Sequence, residues 1–164
     1  MVTENEKKLY ATLDGLSIEY TRYEHDAVYT IEEIKEKNLV FDGAGCKNLF
    51  LRNRKGDIHY LVVIEESKTV DLKKLSKDIG STPLSFGSEE RLYNNLGLTR
   101  GSVTPMGLIN NTDKKVKLII DTDLAKSPKI AVHPNVNTAT IVLSFKDLEK
   151  FVHWCGNEFS YIKI

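Results

Sequence analysis

The stretch that most constrains this chain is a pair of β-rich runs, Lys47 to Asn53 and Asp57 to Glu65, joined by Arg54-Lys55-Gly56. Two apolar runs separated by a short turn containing glycine read as a β-hairpin, so the fold must contain a sheet with these two strands as antiparallel neighbours. The first run is approached through Gly43-Ala44-Gly45-Cys46 and opens on Lys47. A lysine at the mouth of a buried strand is costly to place unless its ammonium meets an anion, which makes Lys47 the first candidate for chemistry.

Around the hairpin the remaining elements follow from periodicity and capping residues. Thr3 to Leu13 reads as an amphipathic helix with Leu9 and Leu13 on one face, stopped at Asp14-Gly15. Ser17 to Glu24 alternates as a strand with Ile18, Tyr20 and Arg22 on one side, and Thr30 and Glu33 have capping-box spacing for a second helix to about Lys37. Val70 to Ile79 is a helix, Leu84 to Phe86 a short strand, and Ser88 caps a helix ending at Gly97. Gly101 to Gly107 reads as a loop, followed by a turn at Asn110 to Lys114. Val116 to Asp121, Lys129 to Val132, Thr138 to Leu143 and Phe159 to Ile164 are strands, and a helix from Ser144 or Phe145 to Cys155 buries Leu148, Phe151 and Val152. No repeat or linker interrupts the order, so residues 1–164 are expected to form one mixed α/β domain.

Composition narrows the class of function. At 164 residues, 41% hydrophobic and 28% charged, the chain can bury an ordinary core, and nothing points to a fibre or a disordered segment. No run approaches the ~18 apolar residues of a spanning helix, and no apolar h-region follows Met1 to Lys8, so a cytoplasmic home is expected with no membrane partner. Cys46 and Cys155 stand far apart, as free thiols do in a reducing compartment. Lys plus Arg balances Asp plus Glu at 23 each, so any nucleic-acid contact must be a local patch. Arg52, Arg54 and Lys55 form one candidate and Lys68, Lys73, Lys74 and Lys77 another; both also read as solvated surface.

The glycine-rich approach to Lys47 invites comparison with a phosphate-binding P-loop, but Cys46 stands where that motif needs Gly and Asn48 where it needs Ser or Thr. A nucleotide triphosphatase is therefore rejected. His25, His59, His133, His153 and the two cysteines show no metal-ligand spacing, so neither a metal nor a cofactor is expected. No local signature supports a Ser-His-Asp or Cys-His triad, although such groups meet in space rather than along the chain. Three turns combine small residues with a polar group at a strand end: Gly43 to Asn48, Gly101 to Gly107 and His133 to Thr140. Either they are ordinary turns, or their N–H groups hold an anion or a developing oxyanion opposite Lys47.

Taken together, Lys47-Asn48-Leu49-Phe50-Leu51, the hairpin, Leu84-Ser-Phe-Gly-Ser, Leu96-Gly-Leu-Thr-Arg-Gly-Ser-Val-Thr-Pro and His133-Pro134-x-x-Asn137-x-x-Thr140 resemble the YbaK/prolyl-tRNA synthetase-associated editing domain family. The order covers nearly the whole chain and is most similar to the freestanding ProX (PrdX) branch. The resemblance implies a mixed α/β fold on a curved, barrel-like sheet with flanking helices, and a trans-acting hydrolase of mischarged alanyl-tRNA(Pro). It places the family's functional lysine on Lys47, its Gly-Ser loop on Gly101 and Ser102, and its His-Pro motif on His133, with Asn137 and Thr140 toward substrate. His25-Asp26-Ala27-Val28-Tyr29-Thr30 resembles the family's His-Pro-Pro-Val-(Phe/Tyr)-Thr, with Asp26 and Ala27 in place of the prolines.

An aminoacyl ester is already activated, so its hydrolysis needs little beyond a positioned water and donors for the oxyanion. Lys47 at its reference pKa is an ammonium, suited to anchor the terminal nucleotide or the ester carbonyl; a depressed pKa would let it act as a base. Val28, Tyr29 and Met106 are candidate walls for a small amino acid, Thr30 lies beside them, and Arg52 and Lys55 are candidates for acceptor-stem phosphates. The implied partners are mischarged tRNA(Pro), with prolyl-tRNA synthetase or an elongation factor as candidates, and not DNA. Two readings compete: the same fold acting on Cys-tRNA(Pro) or another aminoacyl-tRNA, and a non-catalytic module that binds tRNA or a synthetase.

Overall fold

The computed structural model describes residues 2–28, 30–36 and 41–164, all but the side chain of Ile31. Helix α1 (Glu4–Gly15) starts at a reciprocal capping box between Thr3 and Glu6. Its buried side chains include Leu9, Leu13 and the carboxylate of Glu6, which accepts from the Tyr10 hydroxyl and from the Arg22 guanidinium at 2.9 and 3.1 Å. Strand β1 (Tyr20–Glu24) begins later than the alternation predicts, because Ser17 takes a left-handed turn (φ 58°) and Ile18 N–H still caps the helix at the Leu13 carbonyl. Thr30 Oγ1 accepts from Glu33 N–H at the start of α2 (Ile31–Glu36); the expected end near Lys37 lies outside the described residues.

The predicted hairpin forms from β2 (Cys46–Arg52) and β3 (His59–Glu65). Its turn is gathered on the Asn53 side chain: Oδ1 accepts from the N–H groups of Gly56, Asp57 and Ile58, while Gly56 supplies φ 77°. Helices α3 (Leu72–Asp78) and α4 (Glu89–Leu96) are capped by Asp71 and Ser88 and flank the short strand β4 (Ser85–Phe86). Beyond them lie β5 (Lys117–Asp121), β6 (Lys129–Val132), β7 (Ala139–Ser144), α5 (Phe145–Cys155) and β8 (Phe159–Ile162). The stretch expected as a loop before Asn110 instead winds into a buried 3-10 helix, Pro105–Asn110, and a second 3-10 turn spans Thr122–Lys126. Thr104 and Asp121 cap these two turns; they are too short to show a helical period in sequence.

Five strands form a mixed sheet in the order β4-β2-β3-β5-β8, with β3, β5 and β8 parallel; three form an antiparallel sheet, β1-β7-β6. The sheets do not close into the barrel-like form that was expected. Among the described residues they meet at one parallel bridge, Ala44 to Ile130, in the glycine-rich approach to β2. Gly43 eases the close approach there: a Cβ would sit 3.1 Å from the Ile130 backbone and from Val142 Cγ1, so that the neighbours would have to give. Between its polar ends, His59 and Glu65, β3 is apolar from Tyr60 to Ile64 because both faces are covered. Leu61 and Val63 join the main core with Phe151, Leu118 and Ile141, while Tyr60, Val62 and Ile64 pack with Leu51 and Leu75 on the other side. Among the described residues no helix is long and apolar enough to cross a membrane.

Candidate active site

The bridge between the sheets leaves part of one strand edge open. Ala44 exchanges both backbone hydrogen bonds with β6, through the Lys129 carbonyl and the Ala131 N–H, and the Phe50 carbonyl accepts from Gly87 N–H. Backbone groups alternate along a strand, so Cys46 and Asn48 turn theirs to this same outer edge. Between Ala44 and Phe50 no described strand pairs with it. A cleft of about 580 Å³ opens at this gap, within the size range of small-molecule sites.

Lys47 lines the cleft, and its ammonium donates to the Lys68 carbonyl at 2.7 Å. The partner expected for this cation was an anion; a carbonyl takes one of its three donors and leaves the others for a ligand. Lys68 is itself anchored. Its ammonium lies 2.9 Å from Asp121 and 2.6 Å from Asp123 and donates to the Ile164 carbonyl at 2.8 Å. Burial pushes the Asp121 carboxyl up, but the Lys68 ammonium and the N–H groups of Glu65 and Asp123 outweigh it and hold the group below the usual carboxylate range. Lys126 and Lys68 bring Asp123 down to about 2.

His133 reaches the cleft from the turn between β6 and β7. Its Nδ1 lies 3.0 Å from the Ala139 carbonyl and must donate, so in the neutral ring Nε2 carries the lone pair. Burial lowers its pKa, the bond to Ala139 opposes this, and neighbouring His25 lowers it further. The turn is tied to the Gly101 loop by the buried Thr104 hydroxyl, which donates to the His133 carbonyl at 2.7 Å. His25 Nδ1 donates to the Asp26 carbonyl and Nε2 meets the Thr140 hydroxyl at 2.8 Å, so Thr140 is held at the cleft wall. Cys46 also lines the cleft, yet burial, with the Glu66 charge adding to it, pushes its thiol up to about 12, which makes it a poor nucleophile.

Of the residues singled out in sequence, the fold brings Val28, Thr30, Lys47, Gly101, His133 and Thr140 onto this one cleft. Ser102 is turned away: its hydroxyl donates to the Thr99 carbonyl at 2.7 Å and its N–H bonds the same group, which leaves Gly101, at φ 86°, as the part of that loop facing the cavity. Met106 is fully buried in the main core rather than in the cleft wall. Asn137 accepts from Val28 N–H through its carbonyl, at 3.2 Å, and so positions a wall residue without lining the cavity. Arg52 and Lys55 sit at the far end of the hairpin, with Arg52 donating to the Arg54 carbonyl. Tyr29 lies outside the described residues.

Sequence reasoning missed Glu66, which lines the cleft, and the anchoring roles of Lys68 and Thr104. Glu66 had a signal. Counting back from the hairpin turn pairs Cys46 with Glu65, and so sets Gly45 opposite Glu66.

The match to the model of the aminoacyl-tRNA editing domain runs over residues 25–151. A protein of Acetoanaerobium sticklandii named prolyl-tRNA editing protein ProX is 46% identical over 164 residues, all of both chains. Prolyl-tRNA synthetase associated domain-containing protein 1 of Mus musculus is 32% identical, over 95% of this chain and 94% of its own. A solved structure described as a candidate trans-editing enzyme for prolyl tRNA synthetase superposes with a TM-score of 0.74 at 20% identity, covering 100% of this chain and 99% of that one, a likeness of fold. With a family match over most of its length and a full-length relative of this similarity, the chain belongs to the aminoacyl-tRNA editing domain family and is a hydrolase of aminoacyl-tRNA.

Proposed function

We propose that the protein, acting as a single cytoplasmic domain, is a trans-acting deacylase that hydrolyses mischarged alanyl-tRNA(Pro). The observation that carries this reading is the convergence of Lys47, Gly101 and His133, from three distant stretches of chain, on one cleft beside an open strand edge. The 46% identical relative named for prolyl-tRNA editing supports the tRNA(Pro) assignment.

In the proposed reaction a water adds to the ester carbonyl carbon and the bond to the ribose oxygen breaks, releasing free alanine and uncharged tRNA. The Lys47 ammonium, steadied by the Lys68 carbonyl, offers its remaining N–H donors to the oxygen that becomes negative. Lys47 thus acts as an electrostatic anchor rather than as a base. The Nε2 lone pair of His133 holds the attacking water, and Gly101 lets the backbone approach the ester closely. Val28, Ala131 and Val132 wall a space for a small side chain, while Thr30 and Thr140 offer hydroxyls beside it. A synthetase pocket made for proline cannot strongly reject the smaller alanine, so a second, smaller site is what removes the error. Arg52 and Lys55 are assigned to the acceptor stem, and prolyl-tRNA synthetase or an elongation factor to delivery of the substrate.

The test is a deacylation panel of Ala-, Cys- and Pro-charged tRNA(Pro) with wild type and Lys47→Ala. Turnover of the alanyl ester ahead of the other two is expected, with a loss of about 10²–10³-fold in kcat on removing Lys47. Preference for the cysteinyl ester would reassign the substrate, and binding of tRNA without turnover of any ester would sink the enzyme reading.

A further inference from the structure

Glu66 has no assigned task, yet its carboxylate faces the cavity that holds Lys47. The strand ladder continues one step past β2 and β3, where Glu66 N–H donates to the Gly45 carbonyl at 3.2 Å. Glu66 therefore stands opposite Gly45 while Lys47 stands opposite Ile64. Lys47 and Glu66 are diagonal neighbours on one face, a relation that sets residues about 7–8 Å apart and leaves long side chains within reach of each other. They do not form an ion pair, because the Lys47 ammonium is drawn to the Lys68 carbonyl. Among the described residues nothing donates a hydrogen bond or an ion pair to the Glu66 carboxylate. Its position is also reserved by the sequence: a Cβ on residue 45 would come within 2.1 Å of Glu66 Oε2 and 2.5 Å of its carboxyl carbon. A half-buried anion that faces a cavity with no internal partner is costly unless a ligand brings a cation.

We infer that Glu66 is the subsite for the α-ammonium group of the aminoacyl ester, an assignment that rests on the deacylase reading above. An aminoacyl ester carries a cation on the carbon next to the carbonyl, so it presents a positive group and an oxygen acceptor a few ångströms apart. The cleft presents the complement, an anion at Glu66 and donors at Lys47. Because every aminoacyl ester has this ammonium, the subsite does not choose among amino acids. It selects a free α-amino group, and so separates aminoacyl-tRNA from tRNA esters whose α-nitrogen is acylated or replaced.

The experiment compares two esters of one tRNA: the alanyl ester, and the lactyl ester in which a hydroxyl replaces the α-ammonium. Wild type, Glu66→Gln and Gly45→Ala are assayed on both, with thermal melting as the check on folding. Wild type is expected to favour the alanyl ester. Glu66→Gln should lose about 10–100-fold in kcat/KM on that ester and stay within about twofold of wild type on the lactyl ester. Gly45→Ala, which displaces the carboxylate with Glu66 intact, should repeat the pattern in a second background. Equal losses on both esters, or no loss on the alanyl ester, would overturn the assignment and leave the deacylase standing. Failure of wild type to hydrolyse either ester would overturn the deacylase reading and this subsite with it.

Discussion

The imidazole of His133 is held neutral by its surroundings, and that has a measurable sign. A free histidine protonates near ~6.5, whereas burial keeps His133 unprotonated to lower pH. If its lone pair holds the water, kcat/KM should be flat through neutrality and fall on the acid side with an inflection below that of an ordinary histidine. A pH–rate profile checks this, and His133→Gln should remove the acid limb along with most of the activity. Stability moves the same way. The unfolded chain takes up the proton first, so the folding free energy present above pH ~6.5 declines as pH falls toward the lower folded value. His59 shifts in the same direction, through burial and then Arg91 and Arg52, and adds to this acid sensitivity. At this scale the sequence was informative about Lys47 and His133, whose residue types and turn contexts are local. It set Ser102 beside them as a site candidate but gave no sign that its hydroxyl is spent on the Thr99 carbonyl three residues away, a choice that only the backbone conformation decides.

Among the elements, the loop after β3 carries the most consequence, because Lys68 works at both ends. Its carbonyl receives the Lys47 ammonium and its own ammonium neutralises the buried Asp121. Lys68→Met should cost roughly 3 kcal/mol by leaving that carboxylate without its cation, and should lower kcat/KM by freeing the carbonyl that steadies Lys47. Lys68→Arg should recover much of the stability. Urea unfolding and the deacylation assay measure the two effects separately. Asp121 and Asp123 both have lowered pKa values, so their contribution is present above pH ~4 and is lost as pH falls through the folded values, about 2 for Asp123. In Lys68→Met this acid limb should be shallower. Helix starts at Thr3, Asp71, Ser88 and Ser144, and the β2–β3 hairpin, are written in the sequence through side chains that bond their own neighbours. The 3-10 helix Pro105–Asn110 is not, because its apolar residues are set by burial against the core and not by a period. Lys68 reads in sequence as a surface charge; its partners at Asp121 and Asp123 are distant in the chain and meet it only in the fold.

Taken whole, the molecule has no net charge with which to attract a polyanion, so binding of tRNA depends on where its cations lie. Arg52 ends β2 and Lys47 nearly begins it, a separation of about 17 Å along the strand at ~3.3 Å per residue. If the acceptor stem runs from the cleft toward the hairpin tip, Arg52→Gln and Lys55→Gln should each weaken binding and reduce the slope of log K against log salt by about 1. Catalysis on bound substrate should change little. Titration of tRNA binding at several salt concentrations tests this. The mixed α/β class was legible because the hairpin, the capped helices and the later β runs are local patterns. The division into two sheets joined at Ala44 was not, since a single bridge between residues so far apart leaves no periodic trace. That division also sets the order in which the protein can assemble. The smaller sheet pairs Tyr20 with Leu143 and Glu24 with Ala139, so its formation closes a loop of most of the chain, whereas the hairpin forms from residues close together. Loop-closure entropy delays such distant pairings relative to local ones. The hairpin that carries Lys47 and Glu66 can thus fold early, but His133 and Thr140 reach them only when Ala44 meets Ile130, more than eighty residues along the chain, a span counted from the bridge that joins the sheets. During refolding, the recovery of helix and hairpin signals should precede the recovery of a working cleft.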